Sequence, residues 1–218
     1  MNIEFNKRLI STILLVPLIF FIFNEGKIVF TLFLLVCLFI SFYEWFKMSK
    51  KKSYNFLGYI FISLSFYAAY NVRYFNKIED NYIFLFIIII CILTDIGGYV
   101  FGKIIKGPKL TKISPNKTYS GLFGSFLLPL IFFIILFKIS LKPYLVNYID
   151  QINEINLYLI IILVSSSSQI GDIIVSYFKR LSKIKDTGNL IPGHGGLLDR
   201  IDGMLFAFPL AFLILKLF

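Results

Sequence analysis

Between Gln169 and Gly203 the chain reads QIGDIIVSYFKRLSKIKDTGNLIPGHGGLLDRIDG, packing acids, bases, glycines and the only histidine into an otherwise apolar sequence. Ser165, Ser168, Asp172, Ser176, Lys179 and Lys183 recur three or four residues apart, with Arg180 beside Lys179, which puts them on roughly one face of a helix. Lys185-Asp186 follow, then Ile191-Pro192-Gly193-His194-Gly195-Gly196. Glycines around a histidine let the backbone approach a ligand closely. A loop of this kind leading into a helix suits phosphate oxygens. Asp199 and Asp202 are helical neighbours. With Asp172 they offer oxygen-only ligands for one or two hard cations, which favours Mg²⁺ over zinc. Carboxylates, many Lys/Arg and a glycine loop together point to triphosphate chemistry. In such chemistry a metal neutralises phosphate charge and orients an in-line displacement.

The elements that must position these groups are membrane helices. The 218 residues are 58% hydrophobic with mean hydropathy +0.82, too apolar for an ordinary soluble domain. Runs long enough to cross a bilayer lie near Leu9–Phe23, Ile28–Phe46, Tyr54–Asn71, Tyr82–Phe101, Gly121–Phe137, Leu157–Tyr177 and Ile201–Phe218. The expected architecture is therefore all-α and polytopic, with about seven transmembrane helices and a polar cavity facing the cytoplasm. Residues 1–218 read as one integral domain, with amino-terminal membrane helices over 1–81 and a catalytic half over 82–218. Lys7 and Arg8 precede the first run, but no small-residue cleavage site follows it, so it reads as an uncleaved anchor. The formal charge of +10 distributes by side. With the amino terminus inside, the basic residues concentrate in the cytoplasmic segments, as the positive-inside rule requires. That orientation makes the chain a multi-pass protein of the cytoplasmic membrane with its active site on the cytoplasmic face. The high pI then reflects topology and attraction to anionic lipid rather than nucleic acid.

Asp95 follows a long apolar run in Thr94-Asp95-Ile96-Gly97-Gly98-Tyr99, and an acid at that depth should face a polar cavity or a partner. Gly98 and Gly102, like Gly121 and Gly124 further on, allow another helix to approach closely. The loop Lys103 to Ser120 carries five lysines. Its segment Ser114-Pro115-Asn116-Lys117-Thr118 reads as a turn into the next helix, where backbone N–H groups and Lys117 can hold a phosphate. Tyr43 and Trp45 suit an aromatic belt, and Glu44 reads as an interfacial anchor. Cys37 and Cys91 fall inside apolar runs, without metal or disulfide spacing.

At these residues the sequence closely resembles the phosphatidate cytidylyltransferases, the CDP-diacylglycerol synthases. The family signature S-x-x-K-R-x4-K-D-x5-I-P-G-H-G-G-x2-D-R-x-D is matched from Ser176 through Lys179, Arg180, Lys185, Asp186, Pro192, His194, Gly195, Gly196, Asp199 and Arg200 to Asp202. Gln169-x-Gly171-Asp172, Thr94-Asp95-x-Gly97-x-Tyr99 and Ser114-Pro115-x-Lys117-Thr118 match upstream segments. The family usually carries Glu two residues after the loop threonine; here Ser120 stands there. The chain is also shorter than typical members, with fewer spans on the amino-terminal side.

The resemblance implies transfer of CMP from CTP to phosphatidate, with release of pyrophosphate. It implies Asp172, Asp199 and Asp202 around Mg²⁺, in some members with a monovalent cation such as K⁺ beside it. Lys179, Arg180, Lys185, Asp186, His194 and Arg200 would join them in catalysis, chiefly by holding phosphates. Asp95, Ser114, Lys117, Ser176, Gly195 and Gly196 would complete the substrate cavity. It also implies a homodimer. Three other readings stand beside it. One is a CTP-dependent polyprenol or phytol kinase, which yields phosphorylated lipid and CDP. Another is a CDP-alcohol phosphotransferase, whose D-G-x2-A-R-x8-G-x3-D-x3-D pattern is absent. The third is a non-catalytic lipid carrier, which leaves the three carboxylates unexplained.

Overall fold

A computed structural model describes residues 22, 25–74, 81–111, 114, 117–138, 154–190, 193 and 195–217. Seven helices are found among them: α1 (Lys27–Ser49), α2 (Asn55–Arg73), α3 (Asn81–Ile104), α4 (Tyr119–Lys138), α5 (Glu154–Leu181), α6 (Leu198–Ile201) and α7 (Met204–Leu217). No strand occurs among these residues, only an isolated antiparallel bridge between Lys109 and Thr118. Helices are what an apolar medium demands, because each backbone N–H and C=O must find a partner within its own segment. That rule outweighs the poor aqueous helix propensity of the Ile87–Ile90 run in α3.

By length and composition, four segments can cross a bilayer: Lys27–Ser49, Tyr82–Ile104, Tyr119–Leu136 and Asn156–Leu181. Helix α2 forms where the third span was expected, but its Ser, Tyr and Asn content leaves it outside that set. The expected continuous span Ile201–Phe218 is broken. Helix α6 ends at Ile201, Asp202 and Gly203 form a turn, and α7 is a separate apolar helix of 14 residues. The expected span Leu9–Phe23, apart from Ile22, and the connector over 139–153 lie outside the described residues. On the exterior, Ile28, Leu32 and Phe39 of α1 and Ile92 and Tyr99 of α3 are exposed, an apolar surface suited to lipid.

Two close approaches set the register of the bundle. Helices α3 and α4 cross backbone to backbone. A Cβ on Gly97 would stand 2.3 Å from the Gly124 carbonyl oxygen, and one on Gly121 would stand 2.7 Å from that of Gly98. This is the small-residue crossing that the Gly spacing led one to expect. Helix α5 meets the α6–α7 turn equally closely. A Cβ on Gly171 would lie 2.9 Å from the Asp202 carbonyl oxygen, and one on Gly203 would lie 2.4 Å from Ser168 Oγ. Hydroxyls tie further helix pairs together: Thr94 Oγ1 of α3 donates to Ser165 Oγ of α5 at 3.0 Å, Ser167 of α5 to the Phe206 carbonyl of α7 at 2.9 Å, and Ser65 of α2 to the Leu205 carbonyl of α7 at 2.7 Å. The core between them contains Phe30, Ile90, Ile161, Val164, Ala207 and Phe208.

A second cluster lies at the end of α1 that leads into the charged region. Trp45 is buried rather than placed in an interfacial belt. Its indole N–H donates to the Asn55 carbonyl at 2.9 Å, and its ring meets Phe178 edge-on at 5.3 Å. Gly58 makes room for that indole, since a Cβ there would stand 1.9 Å from the ring. Tyr43 does remain exposed, with the Lys47 ammonium 4.7 Å from its ring centre.

Candidate active site

Helix α5 has 28 residues, a length of about 42 Å against a hydrocarbon core of about 30 Å. Counted from Asn156, roughly 20 residues of apolar span end just beyond Asp172, so Ser176 and Lys179 stand at the polar edge. Asp172 forms an ion pair with Lys117 at 2.5 Å, and Ser176 Oγ donates to its other oxygen at 3.3 Å. Lys117 comes from the loop before α4. There the Lys117 and Leu110 backbones pair through Leu110 N–H to Lys117 O at 2.7 Å, and Lys117 N–H donates to Ser114 O at 3.0 Å. Thr118 caps α4 by accepting the Gly121 N–H at 3.1 Å. Ser120, at the position where the family usually has Glu, donates to the Lys106 carbonyl and pairs with the Thr118 hydroxyl at 2.9 Å. It therefore fastens the start of the loop to the start of the helix.

Lys179 is buried and bridges two further acids: its ammonium lies 2.9 Å from Asp199 Oδ1 and 3.9 Å from Asp202 Oδ2. The other oxygen of Asp199 accepts the Thr187 N–H at 2.8 Å and the Gly196 N–H at 2.9 Å. Burial pushes the Asp199 carboxyl up, but these bonds outweigh it and hold the group below the ordinary carboxylate range. The glycine loop fits tightly here. Gly195 has φ +89, and a Cβ on it would stand 2.8 Å from Asp199 Oδ2. Gly193 and Gly107 likewise have positive φ. Asp95 is exposed on α3, within electrostatic range of Asp172, Lys117 and Arg200. Asp202 is within range of Asp172 and Asp95 as well as Lys179.

Asp95, Lys117, Asp172, Ser176, Lys179, Asp199, Arg200 and Asp202 are thus brought together from α3, the loop before α4, α5, α6 and the turn after it. Arg180 is not among them. It is exposed and donates to the Ile184 carbonyl at 3.2 Å, closing the end of α5. At about 100° per residue Arg180 falls at the margin of the expected stripe, and its bond to Ile184 turns it away from the charged groups. Lys185 and Asp186 are exposed on the following turn. Ser114 lies beside Lys117 through the backbone bond above, and its own N–H goes to Thr111 Oγ1 at 3.1 Å. His194 lies outside the described residues.

Two site residues were not anticipated. Thr187, buried, donates its N–H to Asp199 and places its hydroxyl 2.9 Å from Glu44 Oε2 and 3.1 Å from Asp199 Oδ2. Glu44 is no interfacial anchor: it is 3% exposed and turned into this loop. The signal available was an acid at the end of an apolar helix, a costly placement without partners.

The model of the cytidylyltransferase family matches residues 6–82 and 71–218 of this sequence. The chain belongs to the cytidylyltransferase family. This cytidylyltransferase-family chain is 35% identical over 211 residues to the phosphatidate cytidylyltransferase of Rickettsia bellii, covering 95% of this chain and 89% of that protein. It is 36% identical over 163 residues to the phosphatidate cytidylyltransferase of Bacillus subtilis, covering 74% of this chain and 57% of that protein. The corresponding protein of Staphylococcus epidermidis is 36% identical over 171 residues, with 76% and 62% covered. The chain therefore spans about three fifths of the length of those last two relatives.

A hard divalent cation suits the donor chemistry of this cytidylyltransferase-family site, although no ready cluster of three or more metal-type donors occurs among the described residues. The carboxylates of Asp172 and Asp202 interact with each other and with Asp95, a repulsion that a cation relieves. Lysines take that part here, Lys117 on Asp172 and Lys179 between Asp199 and Asp202. One turn below Asp172, Gln169 is buried and its amide nitrogen finds no partner among the described residues, a donor left for an oxygen ligand.

Proposed function

We propose that this chain is a CTP:phosphatidate cytidylyltransferase that makes CDP-diacylglycerol and pyrophosphate for phospholipid synthesis. The observation that carries the reading is the buried Lys179 between Asp199 and Asp202, with the Lys117–Asp172 pair about two turns earlier on the same helix. Cations and carboxylates interleaved at the polar end of a membrane helix are what two phosphate-bearing substrates need, one arriving from lipid and one from water.

The phosphatidate phosphate oxygen attacks the α-phosphorus of CTP. A new P–O bond forms, the bond to the α–β bridging oxygen breaks, and pyrophosphate leaves. The attacking group is already an anion, so positioning and charge neutralisation carry the rate rather than a strong base. Lys117, Lys179, Arg200, Lys185 and His194 hold phosphate oxygens, with Arg180 at the outer rim. Asp172 and Asp202 would hold Mg²⁺, and Asp199 would contribute the oxygen now engaged by Lys179. The ion supplies charge neutralisation on the triphosphate, with a monovalent cation such as K⁺ beside it. In the cell the chain is a multi-pass protein of the cytoplasmic membrane, with about seven spans, a site open to the cytoplasm and a homodimeric assembly. The basic excess near the site supports that orientation.

The test is a detergent-solubilised assay with phosphatidate, Mg²⁺ and CTP labelled at either the α- or γ-phosphorus. Cytidylyl transfer puts α-label into the lipid phase, and Asp172→Asn abolishes it. Lipid labelled only from γ-labelled CTP would instead establish a lipid kinase.

A further inference from the structure

Glu44 ends an apolar helix yet makes its contacts in a loop more than 140 residues away. Its Oε1 accepts the Leu197 N–H at 2.8 Å. Its Oε2 accepts the Leu198 N–H at 2.8 Å and faces the Thr187 hydroxyl at 2.9 Å. Helix α6 has no side-chain cap of its own, so a carboxylate from α1 satisfies its first amides. The loop is shaped to receive it: a Cβ on Gly196 would stand 2.5 Å from Glu44 Oε2, and one on Gly188 would stand 2.9 Å from Oε1. Glu44 touches none of the charged groups assigned to substrate. Its partners do, because Thr187 also donates to Asp199 and Leu198 directly precedes it.

We propose that Glu44 is a positioning residue for the transfer step, fixing Asp199 against Lys179 through Thr187 and the Leu197 and Leu198 amides. The proposal rests on the cytidylyl-transfer reading. The two carboxylate oxygens both face donors, so an isosteric amide cannot replace them: in Glu44→Gln the side-chain NH₂ would meet a backbone N–H or a hydroxyl proton. The unpaired donors then pull the loop out of register. A shift of about 1 Å near reacting groups is enough to cost roughly 10²-fold in rate.

The experiment uses the full chain in detergent and compares Glu44→Gln, Thr187→Val and Thr187→Ser. Each is checked for monodispersity, then assayed with α-labelled CTP and followed by amide hydrogen exchange over residues 187–198. The expected result is a kcat lower by about 10- to 100-fold in Glu44→Gln, with the KM for CTP within about threefold. Thr187→Val falls in the same direction, Thr187→Ser recovers because it keeps the hydroxyl, and the Glu44→Gln/Thr187→Val pair is no worse than its weaker member. Folded Glu44→Gln and Thr187→Val proteins with unchanged kcat overturn the proposal, as does Thr187→Ser as damaged as Thr187→Val. Should Glu44→Gln not fold, the Thr187 pair decides, since it removes one contact only. Wild-type protein that transfers no label sinks the transfer reading alone. Faster exchange at Leu197 and Leu198 in Glu44→Gln then still supports the brace, and unchanged exchange overturns it.

Discussion

Replacing Lys179 by Met should harm the fold more than replacing Asp199 by Asn, and the geometry says why. The Lys179 ammonium lies 2.9 Å from Asp199 and 3.9 Å from Asp202, and both paired side chains are largely buried, 10% and 5% exposed for Lys179 and Asp199. Lys179→Met strips the cation from two acids at once. Breaking a buried pair by removing one partner costs about 3–5 kcal/mol, and here the loss falls at the upper end because two acids, Asp199 and Asp202, lose the same cation. Asp199→Asn leaves Lys179 with Asp202, and the Asn carbonyl can still accept the Thr187 and Gly196 amides, but its NH₂ then faces the ammonium. Its cost is the loss of that hydrogen bond to a charged group, about 1.5–3 kcal/mol. The double variant removes both partners and should be less damaged than the sum of the singles by about 1–3 kcal/mol. Thermal unfolding of the purified protein in one detergent, read by loss of monodisperse material, measures all three. Additive losses, or Asp199→Asn equal to Lys179→Met, would refute the bridging role.

Lys117→Met should behave differently, because that pair is 24% and 30% exposed. Screening limits its stability effect to about 1 kcal/mol or less, whereas transfer activity should fall by roughly 10²-fold if Lys117 neutralises a phosphate. Gly97→Ala forces a Cβ to 2.3 Å from the Gly124 carbonyl oxygen and should cost about 1–3 kcal/mol, lowering the melting temperature in the same assay. Asp199 has its carboxyl held below the ordinary range, so its contribution is present above the unfolded value of about 3.9 and is lost as pH falls through the lower folded value. Wild-type protein should therefore show an acid limb in melting temperature below about pH 4 that is weaker in Asp199→Asn.

The all-helical build and the charged centre were legible because they rest on local spacing. Gly98, Gly102, Gly121 and Gly124 announce a close crossing by their intervals, and Asp172, Ser176 and Lys179 share a face by theirs. Arg180 falls at the margin of that face, and its bond to the Ile184 carbonyl beyond the helix end is not a feature that spacing displays. The break at Asp202-Gly203 was hidden by the apolar residues on both sides, which read as one run although Gly171 and Ser168 press against the turn. Trp45 looked interfacial because a lone tryptophan near a helix end usually is, yet Gly58 on α2 had cleared space for it. Glu44 and Thr187 were illegible for a deeper reason. Their meaning lies in a contact 143 residues apart in the chain, and no local pattern marks which distant loop a single acid will cap.

That separation has a consequence for how the molecule is made. Glu44 leaves the ribosome 154 residues before Leu198, about 8 to 30 s earlier at ordinary rates of synthesis. Through that interval the carboxylate has no loop to grip and must stay in contact with water at the membrane edge. The loop bearing Asp199, in turn, cannot take its final form until it meets a helix inserted well before it. Closing that contact is a late event of assembly, so the charged centre comes together only in a molecule whose earlier helices are already in place. A chain not yet extended past Asp202 has Glu44 but neither Asp199 nor Asp202, so the charged centre never forms ahead of the carboxylate that braces its loop.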